Sequence, residues 1–479
     1  MKKAILSFSL LLFFSVSFGQ SAKKLVKSGM DKYYDADFKG AIDDFTKAIA
    51  LDSNFVDAYS SRGYAKNNLK DYKGAIADFS KSILLDPKDV NNFLMRAKIR
   101  YGMLDYKEAI NDYTKGIELY PEFYSLYLYR AKVKYDSTDY KGAIADYTKS
   151  IELNSYYRNH VRLGEIDPLE TNNSKGLDYA DAYYFRGLSK KNIKDYKGAI
   201  YDFTHVLEIN LRVFYSETDF ESKVLYETTG YQLNKSATAK LIEKSWPNLV
   251  DAIYQRGLSN YELKFYEEAA ADFTNVIDLS PDYAYAYLYR GISNFTLKNY
   301  ASSQSNCDED FTKAIQLSPN LTEAYFYRGL LIYEGHSRNS KNGYEDFSKA
   351  LELNPKYAEA YFNRGKYMFK NRSRPDRESF TIDEIVANYN KAIALKPFFP
   401  EAYYHSGIAK SHFDKKDYAG AIVDYTKALE QNPSFVEAYE ERSHTYYRLR
   451  KNAEACSDIR KAIDLGGTYL HDLLKAYCK

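Results

Sequence analysis

Residues able to do chemistry are present in this sequence, but few of them stand at spacings that build a site. Of the seven histidines, His412 and His444 belong to neighbouring segments of the chain. A shared metal site is one hypothesis for them, and packed or solvated rings are the alternative. No glycine-rich phosphate loop, HExxH motif or cysteine cluster with zinc spacing occurs. The sequence therefore predicts no catalytic residue, no cofactor and no metal.

Three cysteines are present: Cys307, Cys456 and Cys478. Cys456 and Cys478 lie near the C-terminus and are able to pair if the protein is exported, because disulfides persist in oxidising compartments. Spacing alone does not decide whether they are bonded. Cys307 would then be left as a free thiol.

Charged residues recur in two rows. The first row is arginine: Arg62, Arg96, Arg130, Arg186, Arg256, Arg290, Arg328, Arg364 and Arg442. The second row is aspartate: Asp44, Asp78, Asp112, Asp146, Asp202, Asp272, Asp310, Asp346, Asp424 and Asp458. Where no insertion intervenes, an aspartate precedes the next arginine by a constant interval, as Asp44 precedes Arg62.

The two rows depart from the pattern together. Asn388 replaces an aspartate, and at the same interval after it Ser406 replaces an arginine. We therefore predict a structural ladder of partly buried, bidentate ion pairs that join each aspartate to the following arginine. The alternative is a row of arginines that binds anions.

The elements that carry these rows repeat along the chain. The phrase Asp-Tyr-Lys-Gly-Ala-Ile occurs at 71–76, 139–144 and 195–200, and Ala41, Ala75, Ala109 and Ala143 are evenly spaced. Such a period indicates a repeat architecture in which one supersecondary unit is stacked many times.

A unit of this length and pattern resembles the tetratricopeptide repeat family, whose units are about 34 residues long. The second unit starts at Val56 (position 1) and carries Gly63 at position 8, Ala75 at position 20, Phe79 at position 24 and Pro87 at position 32. We count eleven units in this frame, so the arginines stand at position 7 and the aspartates at position 23. The resemblance implies an all-α fold, a right-handed α-solenoid of helix-turn-helix units with a C-terminal capping helix.

The repeat frame gives a domain map. We predict a signal peptide over 1–19, units 1–4 over 22–157, an insertion over 158–179 and unit 5 over 180–213. A second insertion covers 214–249, units 6–11 cover 250–465, and the capping helix covers 466–479.

The beginning of the chain has the pattern of an export signal. Lys2 and Lys3 precede an apolar stretch, and Ser17 and Gly19 supply small residues at the cleavage positions, so Gln20 is the expected first residue of the mature chain. A retained membrane anchor is the alternative, although the stretch is short for one. We expect a periplasmic or secreted protein with no transmembrane segment in the mature chain.

The resemblance also implies where a partner binds. In the family the first helix of each unit lines a concave groove, and positions 2, 5, 9 and 12 face it. In this chain those positions carry many aromatic rings, together with lysine at position 9 in three units (Lys98, Lys132 and Lys366). Acidic residues recur at position 2: Asp57, Asp181, Asp251, Glu323, Glu359, Glu401 and Glu437. The predicted partner-binding rings are Tyr33, Tyr64, Tyr101, Tyr135, Tyr184, Tyr254, Tyr285, Phe326, Tyr333, Phe362, Phe369, Tyr404 and Tyr447. Packing of the same rings on neighbouring helices is the alternative.

Charge and composition argue against one class of function and favour another. The net charge is +2 and no long basic run occurs, which argues against nucleic-acid binding. The 50 tyrosines supply rings with polar tips, which suit recognition of a peptide or protein. We expect an exported, non-enzymatic protein-binding scaffold that belongs to an envelope assembly. The alternatives are a glycan- or peptidoglycan-binding module and an enzyme, or enzyme accessory, with its site at the insertions.

Overall fold

The computed structural model describes residues 21–162, 175–216, 248–298, 307–337, 342–372, 380–412, 416–467 and 471–478. Every regular element within these ranges is an α-helix. Antiparallel helix pairs follow one another along the chain, so the predicted class, an all-α solenoid of helix-turn-helix repeats, is confirmed. The chain divides into two compact units, which are described separately: an N-terminal unit, Met1–Leu263, and a C-terminal unit, Lys264–Lys479.

The N-terminal unit contains repeats 1–5 and the first helix of repeat 6. Consecutive helices of this unit pack on one another. Its helices are α1 (21–34), α2 (Phe38–Leu51), α3 (Val56–Asn68), α4 (Tyr72–Leu85), α5 (Val90–Gly102), α6 (Tyr106–Leu119), α7 (Tyr124–Asp136), α8 (Tyr140–Arg162), α9 (Lys175–Asn192), α10 (Tyr196–Ser216) and α11 (Leu249–Glu262).

The C-terminal unit contains the second helix of repeat 6, repeats 7–11 and a last short helix. Its helices are α12 (Tyr266–Leu279), α13 (Ala284–Thr296), α14 (Cys307–Leu317), α15 (Thr322–Glu334), α16 (Gly343–Leu353), α17 (Ala358–Asn371), α18 (Ile382–Leu395), α19 (Pro400–Ser411), α20 (Tyr418–Gln431), α21 (Val436–Arg448), α22 (Asn452–Asp464) and α23 (His471–Tyr477).

The recurring Asp-Tyr-Lys-Gly phrase is a helix start. The Asp71 carboxylate accepts a hydrogen bond of 3.0 Å from the backbone N–H of Gly74, which caps α4. A Cβ atom on Gly74 would lie 2.1 Å from the Asp71 carboxylate, so a larger residue would displace the cap. The same arrangement begins four other second helices, at Asp37–Gly40, Asp139–Gly142, Asp195–Gly198 and Asp417–Gly420.

In most repeats the core forms where a small residue at position 8 meets a ring at position 24. In repeat 2 the Phe79 ring is fully buried, and a Cβ atom on Gly63 would lie 3.0 Å from it. The close approach of the two helices therefore depends on the missing side chain. In repeat 3 the buried Tyr113 packs near Ala97 in the same way.

Most of the predicted interruptions lie outside the described residues. The proposed signal peptide, 1–19, lies there, as does most of the second insertion, 214–249. At the first insertion, 158–179, helix α8 continues to Arg162 and helix α9 begins at Lys175. The predicted insertion is therefore helical at both edges.

A disulfide bond links the last helix to the helix before it. Cys456 on α22 and Cys478, just after α23, form a disulfide, with 5.1 Å between their Cα atoms. Leu473 and Leu474 of α23 pack against the buried Ile459 of α22. Helix α23 thus covers the apolar side of the last repeat. Cys307 is buried at the start of α14, and burial raises the pKa of its thiol to about 12.

Candidate binding face

The Asp/Arg ladder exists, but its pairs lie inside each repeat. Arg62 donates from Nε and Nη2 to the two carboxylate oxygens of Asp78, at 2.9 and 2.7 Å. Asp44, the predicted partner of Arg62, instead accepts from Ser28 and Lys32. The predicted partner assignment is therefore wrong. Positions 7 and 23 face each other across one antiparallel helix pair, which lets the planar guanidinium meet the carboxylate in two parallel hydrogen bonds.

The same correction applies in repeats 2–5, 7, 8 and 11. In each of them the arginine binds the aspartate of its own repeat. The pairs are Arg62–Asp78, Arg96–Asp112, Arg130–Asp146, Arg186–Asp202, Arg290–Asp310, Arg328–Asp346 and Arg442–Asp458.

A hydroxyl group, rather than a carboxylate, crosses the junction between repeats. The third nitrogen of Arg62, Nη1, donates to Thr46 of the preceding repeat at 3.1 Å. At every described junction that has an arginine, the hydroxyl of a threonine or serine at position 25 accepts this hydrogen bond. The guanidinium also lies 5.7 Å from the ring of Tyr59, one turn earlier on its own helix. Each arginine is therefore a structural residue that links two repeats.

The joint departure of Asn388 and Ser406 has a different origin from the predicted one. Asn388 accepts from Arg364 of its own repeat at 2.8 Å, and Ser406 donates to Asp424 of its own repeat at 2.7 Å. These two residues belong to separate polar clusters.

The predicted groove rings, which we call the groove face, differ in exposure. Four of them are buried, with at most 9% of their surface exposed: Tyr184, Tyr254, Phe326 and Phe362. Tyr285 and Tyr447 are 49% and 42% exposed. The remaining rings are partly exposed: Tyr33, Tyr64, Tyr101, Tyr135, Tyr333, Phe369 and Tyr404. Buried rings belong to the core, so any surface offered to a partner comes from the other nine.

Polar tips on the groove face connect successive repeats. Tyr101 of repeat 3 donates to the Asp136 carboxylate of repeat 4. Tyr184 of repeat 5 donates to Asp251 of repeat 6 at 2.5 Å. Burial, together with hydrogen bonding to Asp136, raises the pKa of the Tyr101 hydroxyl well above its usual range. The Tyr101 hydroxyl therefore stays protonated and acts as a donor.

Sequence reasoning missed a second row of rings, at position 6. Tyr129 stacks on the buried Tyr113 ring of the preceding repeat, with 6.1 Å between centroids. Position 6 lies next to position 5, and only the latter was assigned to the groove. The pattern of aromatic residues at both positions 4 and 6 was the available signal. The other position-6 rings are Phe185, Tyr289, Tyr327 and His405, each stacked on a position-24 ring.

The position-9 lysines lie over aromatic rings. The ammonium group of Lys98 is 4.4 Å from the centroid of Tyr129, and that of Lys132 is 5.6 Å from Phe185. In repeat 9, Lys366 and Lys370 lie 5.0 and 4.7 Å from the ring of Tyr333. The groove face therefore presents cations together with aromatic rings.

His412 and His444 share a polar cavity of about 290 Å³ between repeats 10 and 11. His412 hydrogen-bonds to Ser411 at 3.0 Å and lies 3.5 Å from the Glu441 carboxylate. Burial lowers the pKa of His444. Among the residues that the structure describes, no group of three or more acidic, histidine or cysteine side chains is arranged to hold a metal ion.

None of the described helices is long and apolar enough to cross a membrane.

Comparison with known proteins gives a consistent class. Three family models match separate stretches: a tetratricopeptide repeat model over 56–89, another over 254–303, and a TPR repeat model over 409–449. The chain therefore contains multiple tetratricopeptide repeats. No curated protein matches the sequence.

Several solved structures are similar to the chain. The Cut9–Hcn1 hetero-tetramer of APC/C is 14% identical, with a TM-score of 0.39, and the match covers 96% of each chain. The TPR domain of P58(IPK) is 13% identical, with a TM-score of 0.33, covering 95% of this chain and 97% of that one. A tetratricopeptide repeat protein from Parabacteroides merdae is 15% identical, with a TM-score of 0.38, covering 63% and 99%.

Proposed function

We propose that the protein is an exported scaffold that binds protein or peptide partners through its groove face, as part of an envelope assembly. The observation that carries the proposal is the row of partly exposed rings, Tyr285 and Tyr447 being the most exposed. Tyrosine gives large contact area for little side-chain entropy and adds a hydrogen-bonding tip. Protein or peptide binding is general among tetratricopeptide repeat proteins, and it supports the same conclusion.

Site-specific photo-crosslinking tests the binding proposal. A photoreactive phenylalanine analogue replaces Tyr285 or Tyr447 in the full chain, in cells, and adducts are identified by mass spectrometry. The matched control is Phe398, which is 68% exposed in the turn between α18 and α19, outside the predicted groove positions. We expect protein adducts at 285 and 447 and not at 398. Equal labelling at all three sites, or none at the first two, would contradict the proposal.

Affinity for the captured partner then locates the contact. Tyr285→Ala combined with Tyr447→Ala should weaken binding at least tenfold without changing the helical circular dichroism signal, since both rings are exposed. Phe362 does not suit this test because its ring is 9% exposed and packs in the core of repeat 9.

Export is tested separately. Cell fractionation and N-terminal sequencing of the processed protein should place it outside the cytoplasm with Gln20 as its first residue. Recovery of the unprocessed chain from the cytoplasm would remove export from the proposal and leave the binding face untouched.

A further inference from the structure

One arginine of the ladder, Arg364, is paired with an amide instead of a carboxylate within the described part of the chain. Arg364 in repeat 9 donates from Nε to the amide oxygen of Asn388 at 2.8 Å, and from Nη1 to Ser348 at 3.2 Å. Its third nitrogen, Nη2, has no hydrogen-bond partner among the residues that the structure describes. The Asn388 amide nitrogen donates to the Glu384 carbonyl oxygen at 2.8 Å, so only its oxygen faces the guanidinium.

The other repeats show what normally occupies this place. In repeat 8, Nη2 of Arg328 donates to Asp346 at 2.7 Å, and in repeat 11, Nη2 of Arg442 donates to Asp458 at 2.8 Å. The remaining described pairs have Nη2–carboxylate distances of 2.6–2.7 Å. Among the residues that the structure describes, none places a hydrogen-bond acceptor or a negative charge at the equivalent point beside Arg364.

The replacement of the aspartate by Asn388 changes the electrostatics around Arg364. Burial disfavours the charge on Arg328, but the hydrogen bond and charge of Asp346 outweigh burial and raise its pKa. At Arg364 burial lowers the pKa, and the neighbouring groups that act against it are the hydroxyls of Tyr344 and Tyr361. These two rings lie 5.6 and 5.5 Å from the guanidinium carbon. A half-buried guanidinium held between rings, with an unpaired donor, favours a counter-ion.

We propose that Arg364 binds a small monovalent anion, a halide or a small carboxylate, at Nη2, where an aspartate oxygen stands in the other repeats. Asn388 makes room for the anion. Its amide oxygen accepts one hydrogen bond from Nε, but, unlike an aspartate, its side chain has no second oxygen and no negative charge. The side chains of Arg364, Tyr344 and Tyr361 are only partly buried, so the point is reachable from solvent. The anion completes the arginine–acid pair inside repeat 9, while Nη1 keeps its hydrogen bond to Ser348 of repeat 8.

Chloride binding to the purified full-length protein tests this proposal. The ³⁵Cl linewidth measures chloride exchanging with a protein site, and formate is added as a competitor. Ionic strength is held constant with sodium gluconate, whose anion is bulkier. We expect excess linewidth for the wild type, its removal by formate, and its loss in Asn388→Asp, because the new carboxylate takes the anion's place.

Two further variants keep the result decisive. Arg364→Met removes the cation and should also abolish the excess linewidth. Asp346→Asn reproduces the repeat 9 arrangement in repeat 8 and should increase it. Unchanged linewidth in both Asn388→Asp and Arg364→Met, or no excess linewidth in the wild type, would overturn the proposal.

Discussion

The two units hold their buried aspartates differently. In the N-terminal unit, Asp78 is 2.7 Å from Arg62 and also 2.8 Å from Lys66, one turn further along the same helix. In the C-terminal unit, Asp346 pairs with Arg328, and the residue at the position of Lys66 is Ile332. Repeats 3–5 have a second cation as repeat 2 does, supplied by Arg100, Lys134 and Lys190.

Repeats 1 and 10 show that the aspartate can be paired without the arginine. Both have serine in place of the arginine, at Ser28 and Ser406, and in both a lysine binds the aspartate: Lys32 to Asp44 and Lys410 to Asp424, each at 2.6 Å. In these two repeats the acid is kept and its cation comes from position 11, whereas repeat 9 keeps Arg364 and has Asn388 in place of the acid. Among the described repeats, serine replaces the arginine only where a lysine at position 11 binds the aspartate.

The largest expected effect comes from removing the arginine in each unit. Arg328→Met leaves Asp346 buried without a cation and should cost about 3–5 kcal/mol of unfolding free energy. Arg96→Met should cost roughly half as much, since Arg100 stays 2.6 Å from Asp112. Urea unfolding followed by circular dichroism measures both losses.

The control for this prediction removes the acid as well. Arg328→Met combined with Asp346→Asn should recover part of the loss, because no charge is then left unpaired. Equal losses for Arg328→Met and Arg96→Met would show that the second cation contributes nothing, and the contrast between the units would fail.

The sequence predicted the helices, the repeat frame and the charged rows, because each follows from a strict period. The partner of each arginine did not follow from the period. Asp78 lies almost midway between Arg62 and Arg96 in the sequence, so spacing alone permits both partners. Insertions inside repeats 7–9 lengthen the interval within a repeat and leave the interval across the junction unchanged, which favoured the wrong choice. Side-chain direction, absent from a linear pattern, decides between them.

The groove face was predictable to a similar degree. The frame located its rings but not their exposure, so Phe326 and Phe362 were grouped with the far more exposed Tyr285. Exposure depends on what the next repeat places over a ring: Phe326 packs 4.7 Å from Tyr357, and Phe362 packs 4.8 Å from Phe399. A single repeat's sequence carries no information about that contact.

A second difference, which sets repeat 10 apart, concerns position 6. Tyr129 and Phe185 occupy it in the N-terminal unit, whereas repeat 10 has His405, which stacks 6.0 Å from Tyr389. Burial, with a smaller contribution from the charge of Lys366, lowers the pKa of His405 to about 4. The folded chain thus binds this proton less readily than the unfolded chain does. His405 should therefore reduce stability as the pH falls from about 6.5 towards 4.

His405→Phe should remove that acid sensitivity while keeping the stacked ring. The difference in unfolding free energy between variant and wild type should grow by up to about 3 kcal/mol between pH 7 and pH 4. Urea unfolding at a series of pH values measures this difference. A constant difference across the series would mean that His405 takes up its proton equally easily in the folded and unfolded chains.

The smallest expected effect concerns the turn within a repeat. In repeat 3 of the N-terminal unit this turn places Leu104, a non-glycine residue, at φ 64°, whereas in repeat 8 the left-handed turn residue is Gly335, at φ 85°. Leucine is strained in this conformation, and Leu104 is 71% exposed, so little packing would be lost on its removal. Leu104→Gly should stabilise the protein by about 0.5–1 kcal/mol.

Leu84→Gly is the matched control for this turn. Leu84 is 75% exposed but lies within helix α4, where glycine has no conformational advantage and should cost about 1 kcal/mol. Gly335→Ala should likewise destabilise the C-terminal unit, because alanine would bring to repeat 8 the strain that Leu104 already bears in repeat 3. Equal shifts of the thermal midpoint in the same direction for Leu104→Gly and Leu84→Gly would show that the left-handed conformation does not strain Leu104.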